Sequence, residues 1–187
     1  LSPDEAILVA PNDPAALVDL DQWWVERRLL VRRLLDDGDY KTAYRVARDS
    51  PSPPKSNYRV DQHFTAGWIA LRYLHDPATA ALHFAQISAG TSSPHALSRA
   101  GYWQCRAAQA MGHKAEAKAY YETAAQYSVT YYGQLARGRL GLSDLGLLDK
   151  PHIPPDQSAT LLNLEVVRAV AAVLLREGDR LVVRAAV

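Results

Sequence analysis

Three stretches of this chain can be laid over one another with a step of 37 residues, and that repetition limits the fold more than any other feature. Gly38, His75 and Gly112 align as turn residues, and five positions later Ala43, Ala80 and Ala117 align. A methyl side chain there lets a second helix lie close against the first. In the second and third copies the pattern runs on as Ala80, Phe84, Ile87 and Ala117, Tyr121, Ala124, the i, i+4, i+7 positions of one helical face. Ahead of the turns, Val31, Trp68 and Cys105 align, as do Leu34, Leu71 and Ala108, so apolar residues meet the same core positions each time. The match is of physical type rather than of letters, and it predicts antiparallel helix pairs. Pro and Gly fall between the helical patterns, and alternating β-branched runs bounded by hairpin turns are missing, so the expected strand content is near zero.

The Gly-x4-Ala-x3-aromatic-x2-Ala pattern resembles a degenerate tetratricopeptide-like repeat, with a period slightly longer than the usual ~34 residues. Such a pair cannot bury its hydrophobic face alone, so neighbouring pairs stack. The resemblance implies an all-α fold, a right-handed α-superhelix of antiparallel helix pairs with a concave surface. Pairs are expected over residues 21–50, 58–88 and 95–127, then a short helix over 130–140 and a further pair over 159–187, within a single domain of residues 1–187. Gly178-Asp179 repeats the turn chemistry of Gly38-Asp39. A short helix is expected around Glu5 to Ala10, broken at Pro11 and Pro14, and a Gly- and Pro-marked connection from Gly141 to Pro155.

With 187 residues and 48% hydrophobic content, the chain has enough apolar surface for one well-buried core or several stacked repeats. Its 21 basic and 20 acidic residues nearly cancel, which argues against a field that draws in nucleic acid or an anionic membrane. The most apolar segment, Leu161 to Leu175, is interrupted by Asn163, Glu165 and Arg168 and falls short of the ~18–20 apolar residues that span a bilayer. A soluble protein with no membrane span is expected. No stretch reads as a signal peptide, and a start at Leu1 with a stop soon after Gly178-Asp179 suggests a fragment of a longer superhelix.

A search for chemistry returns mostly absences. Metal sites need clustered ligands, whereas His63, His75, His83, His95, His113 and His152 are scattered and no His-Glu-x-x-His occurs. His75 and His113 read as solvent-exposed turn residues. The glycines are dispersed at helix ends rather than gathered in a phosphate-binding loop, so no nucleotide or other cofactor is expected. Cys105 lies inside an apolar helical pattern and reads as a packed thiol. No nucleophile-elbow sequence is present. Acid catalysis would need a glutamate in an apolar cleft, but Glu5, Glu26, Glu116, Glu122, Glu165 and Glu177 all fall on polar helix positions. No catalytic residue is assigned.

Aromatic residues are the more informative set. Trp68 and Trp103 sit in the repeat-forming helices and read as core, whereas adjacent Trp23 and Trp24 must point about 100° apart on a helix, leaving one partly exposed. Tyr120, Tyr121, Tyr127, Tyr131 and Tyr132 gather around one junction, as packing rings with hydroxyls at the rim or as a ligand-contacting patch. Trp23, Trp24, Tyr131 and Tyr132 are the candidate ligand or domain contacts.

Four segments carry a further resemblance: Trp23-Trp24-Val25-Glu26-Arg27-Arg28, Ala66-Gly67-Trp68-Ile69-Ala70-Leu71-Arg72, Tyr102-Trp103-Gln104-x-Arg106-Ala107-Ala108, and, most specific, Tyr131-Tyr132-Gly133-Gln134-Leu135-Ala136. In this order, over about Asp21 to Leu142, the chain resembles the superhelical, non-catalytic domain of soluble lytic murein transglycosylases. In that family a long α-superhelix lies beside a lysozyme-like domain that cleaves peptidoglycan glycan strands through one glutamate. The resemblance implies a periplasmic location and, as partners, peptidoglycan glycan strands or a lysozyme-like catalytic domain.

The chain departs from the family at the decisive place, because no glutamate here is followed by serine and the glycine- and tyrosine-containing lysozyme-like segments are absent. No catalytic role carries over to any residue. The implied role is a scaffold that positions substrate or holds the catalytic domain. The rival expectation is a tetratricopeptide-like adaptor that grips a peptide or protein in its concave groove.

Overall fold

The computed structural model describes residues 19–142, 144, 154, 160, 163–170 and 172–173 of the 187. The chain divides into two compact units, Leu1–Gly146 and Leu147–Val187. The expected helix around Glu5 to Ala10 lies outside the described residues, as do most of the pair over 159–187 and the Gly178-Asp179 turn.

Every described element is an α-helix, as expected of an all-α chain. The first unit holds α1 (Leu20–Asp36), α2 (Tyr40–Arg48), α3 (Ser56–Arg72), α4 (Pro77–Gly90), α5 (Pro94–Ala110), α6 (Lys114–Ala125) and α7 (Tyr131–Arg139). In the second unit, residues 165–170 and 172–173 are helical, with Val166, Val170 and Val173 exposed. No described helix is long and apolar enough to cross a membrane.

Local chemistry sets the boundaries. The even helices begin at Tyr40, Pro77 and Lys114, 37 residues apart. The Asp39 carboxylate caps α2 by accepting from Thr42 N–H, and Asp76 caps α4 in the same way through Thr79 N–H. The three turn residues that align in sequence all adopt left-handed backbone: Gly38 at φ +81°, His75 at +54° and Gly112 at +80°. At the glycines the helix ends in a Schellman turn, with Asp39 N–H reaching Leu34 O (2.8 Å) and His113 N–H reaching Ala108 O (2.9 Å). His75 takes the same backbone region without that glycine freedom, at a turn one residue longer after α3.

Packing follows the chain. Each helix lies against its neighbour in sequence, and α1 also touches α3, α3 touches α5, and α5 touches α7. The core forms three connected patches, each closing a hairpin with the next odd helix. Trp24, Val31, Ala43 and Val46 of α1 and α2 meet Ala66 and Ile69 of α3. Ala70, Ala80, Phe84 and Ile87 of α3 and α4 meet Ala100 and Ala107 of α5. Cys105, Ala117, Tyr121 and Ala124 of α5 and α6 meet Ala136 of α7. The aligned alanines Ala43, Ala80 and Ala117 are 0%, 0% and 3% exposed, so each is packed into the core where its even helix meets its neighbours.

Candidate functional site

The Thr130-Tyr131-Tyr132-Gly133 segment is built by one side chain. The Thr130 hydroxyl donates to Tyr127 O (2.8 Å) and accepts from Gly133 N–H (3.1 Å), so it ends the loop and caps α7 together. Thr130 is itself buried. Gly133 packs so tightly on this loop that a Cβ would lie 2.0 Å from Tyr127 O, which excludes every other residue without backbone movement. The cap therefore fixes Tyr131 and Tyr132 in the first turn of α7. Tyr131 is 69% exposed, and Tyr132 is half-buried. Their rings meet edge to face at 5.1 Å, and Tyr132 also lies against Tyr102 at 5.4 Å.

Both tyrosines line a cleft of about 560 Å³. Its other walls come from the first turn of α3 (Ser56, Asn57) and the first two turns of α5 (His95, Ser98, Arg99), with Thr91 and Ser93 from the connection before α5. No Asp or Glu lines it. The cleft thus offers aromatic faces, hydroxyls, an amide and a guanidinium, groups that bind a polar, ring-bearing ligand.

A second cleft of about 300 Å³ follows α1 and α3, lined by Arg28, Arg32, Asp61, Phe64 and Trp68, and it shares Arg99 with the first. Trp68, expected in the core, is half-buried and lies on this cleft, with Tyr73 edge-on at 5.3 Å. Trp103 is likewise half-buried, between Phe64 and Phe84 at 6.0 and 6.2 Å. Burial pulls the Arg99 guanidinium below its ordinary value.

The tryptophan pair and the tyrosine pair are not brought together. Trp24 is fully buried in the α1–α3 core and donates its indole N–H to Asp61 Oδ2 at 3.0 Å, so its ring is out of a ligand's reach. Trp23 is the partly exposed member, with the Arg27 guanidinium 5.9 Å from its ring centre, and it lines neither cleft.

Several other chemistry-bearing side chains are engaged in packing or in surface pairs. Cys105 is fully buried and burial raises its thiol pKa, the state of a packed rather than a reactive cysteine. Its neighbour Tyr121 is pushed up to about 12 by burial and by a hydrogen bond with the Cys105 thiol. Glu26 accepts from the Gln22 side chain, Glu116 from Tyr120, and Glu122 pairs with Lys118, all on exposed faces. His75 and His113 are exposed at their turns. Among the described residues no three His, Cys, Asp or Glu side chains group to hold a metal ion.

One cluster escapes a sequence reading because three helices supply it. Tyr44 Oη lies 3.1 Å from His83 Nε2, and His83 Nδ1 lies 3.4 Å from His63 Nδ1. Burial, with help from His63 and Arg48, lowers His83 to about 4 from the usual 6.5, and burial lowers His63 as well. The folded chain therefore binds fewer protons than the unfolded chain between pH 6.5 and 4. Stability is full above pH 6.5 and falls as pH drops toward 4. The capping carboxylates Asp39 and Asp76 lie below their usual 3.8, through hydrogen bonds from Thr42 and Thr79, so they act below this window. We expect a loss of about 1–2 kcal/mol from pH 7 to pH 4.5, allowing for solvent screening of half-buried rings. Urea unfolding followed by circular dichroism across that range measures it, and His83→Gln flattens the dependence. An equally steep loss in that variant refutes the assignment.

Comparison with protein-family models, curated proteins and solved structures finds no match for this chain.

Proposed function

We propose that this chain is the non-catalytic helical module of a peptidoglycan lytic transglycosylase, a right-handed α-superhelix of tetratricopeptide-like pairs that positions murein glycan strands in the periplasm. The observation that carries this reading is the cleft at the start of α7. The segment with the most specific resemblance to that family, Tyr131-Tyr132-Gly133-Gln134-Leu135-Ala136, places two tyrosines on a cleft with hydroxyl and amide groups around it. Tyrosine faces against sugar rings and hydroxyls against sugar hydroxyls are the pairing a glycan requires. The module reading is also supported by the way each hairpin's core is closed by the next odd helix, as stacked repeats require. On this reading no bond is broken here, and a lysozyme-like domain elsewhere in the parent protein carries the catalytic glutamate.

The test is co-sedimentation with intact peptidoglycan sacculi, with the supernatant analysed for anhydro-muropeptides. The expected outcome is that the chain pellets, that no anhydro-sugar is released, and that Tyr131→Ala weakens binding roughly 10-fold, the scale of one exposed aromatic contact. Release of anhydro-muropeptides would overturn the non-catalytic assignment. A chain that stays in the supernatant would overturn the murein reading and direct attention to peptide or protein partners.

A further inference from the structure

Near-zero net charge conceals a local imbalance. The two clefts meet at Arg99 of α5, which lines both. Together they carry Arg28, Arg32 and Arg99 against one carboxylate, Asp61. That carboxylate is already committed, because Asp61 Oδ2 accepts from Arg28 Nη1 and from Trp24 Nε1, each at 3.0 Å. Arg99 has no described carboxylate within ion-pair distance. Its Nε is buried with no hydrogen-bond partner among the described residues, and its guanidinium lies 4.1 Å from the centre of the Phe64 ring.

Asp61 acts on this guanidinium through space without bonding to it, so burial remains its largest perturbation, a cost that an incoming anion in direct contact offsets. Stacking on Phe64 occupies one face of the guanidinium and holds its plane, and hydrogen bonds come from the edge. A planar carboxylate matches that edge with two parallel N–H···O bonds, whereas a neutral hydroxyl does not.

We infer that Arg99 is the anion anchor of this groove, and that the ligand it selects carries a carboxylate. The inference rests on the murein reading above and deepens it: the bound fragment is held by a carboxylate at Arg99 while Tyr131 and Tyr132 lie against its body. The carboxylate can belong to a sugar acid or to a short peptide attached to the glycan, and both present the same group.

Isothermal titration of the full chain with a soluble muropeptide, the same muropeptide after carboxyl amidation, and a neutral N-acetylglucosamine oligomer tests it. We expect the carboxylated fragment to bind at least about 10-fold tighter than the amidated one, the scale of one charge-assisted bidentate pair. Arg99→Gln should remove that preference by bringing the two affinities together, and Arg99→Lys should restore it in part. Equal binding of the carboxylated and amidated fragments overturns the anchor and leaves the murein reading standing. No binding of any fragment by the folded chain overturns both. Competition by N-acetylmuramic acid alone or by the stem peptide alone identifies which carboxylate is held, and either result supports the anchor. The amidation comparison uses the unaltered chain, so the test stands even if Arg99→Gln proves unstable.

Discussion

Gly133→Ala is expected to lower unfolding stability by about 3 kcal/mol, the upper part of the range for an atom forced into filled space. The added Cβ would lie 2.0 Å from Tyr127 O and 2.6 Å from Tyr127 C, and both are backbone atoms that cannot rotate away. The same carbonyl accepts from Thr130 Oγ1, which in turn accepts from Gly133 N–H, so relief by backbone movement breaks the cap of α7. Tyr131 and Tyr132 depend on that cap for their place on the cleft, so sacculus binding should fall with stability. Gly138, the penultimate residue of α7, is the internal control: a Cβ there meets nothing within 4 Å. Gly138→Ala should stabilise α7 by about 0.5–1 kcal/mol through helix propensity. Urea unfolding of the two variants measures opposite signs, and a destabilisation common to both would remove the steric account.

Trp24→Ala should cost about 3–5 kcal/mol, the range for deleting a fully buried tryptophan, a large share of the stability of a domain this size. The indole is 0% exposed, and its N–H shares Asp61 Oδ2 with Arg28. Trp24→Phe keeps an aromatic ring but loses the hydrogen bond and part of the buried ring system, an expected cost of about 1–3 kcal/mol. Trp23→Ala, next along the helix but half-buried, should be much milder. Melting temperatures of the three variants separate these effects. Equal losses for Trp23→Ala and Trp24→Ala would show that the two rings share one environment.

Much of the fold was legible because its causes are local. A left-handed turn residue followed five positions later by a close-packing alanine is a short-range pattern, and it recurs where Gly38, His75 and Gly112 turn the chain, with an aspartate cap at the first two turns and His113 in its place at the third. The exposure of Glu26, Glu116 and Glu122 follows from helical periodicity in the same way. Periodicity also says that Trp23 and Trp24 point apart. It does not say which one faces α3, and for that reason the buried ring was named beside the exposed one as a candidate contact.

Trp68 and Trp103 show the limit of reading a helical stripe as core. Both rings pack against the core yet stay half-buried, and Trp68, which aligns with Val31 and Cys105, does so because its helix also turns a face to a cleft. The Tyr44–His83–His63 cluster was invisible for a different reason. Its members are separated by 39 and 20 residues, and no local rule places α2, α3 and α4 side by side at those positions.

Helicity, the places where the helices turn and the alanines packed between them are written in short stretches of residues, since turn conformation and helical periodicity are properties of a few neighbours. That Arg99, far from Arg28 and Arg32 in the chain, joins them along two clefts beside Tyr131 and Tyr132 follows from how the helices pack. A ligand groove is made from the surfaces of several helices at once, and a balanced total charge carries no information about where those surfaces gather their cations.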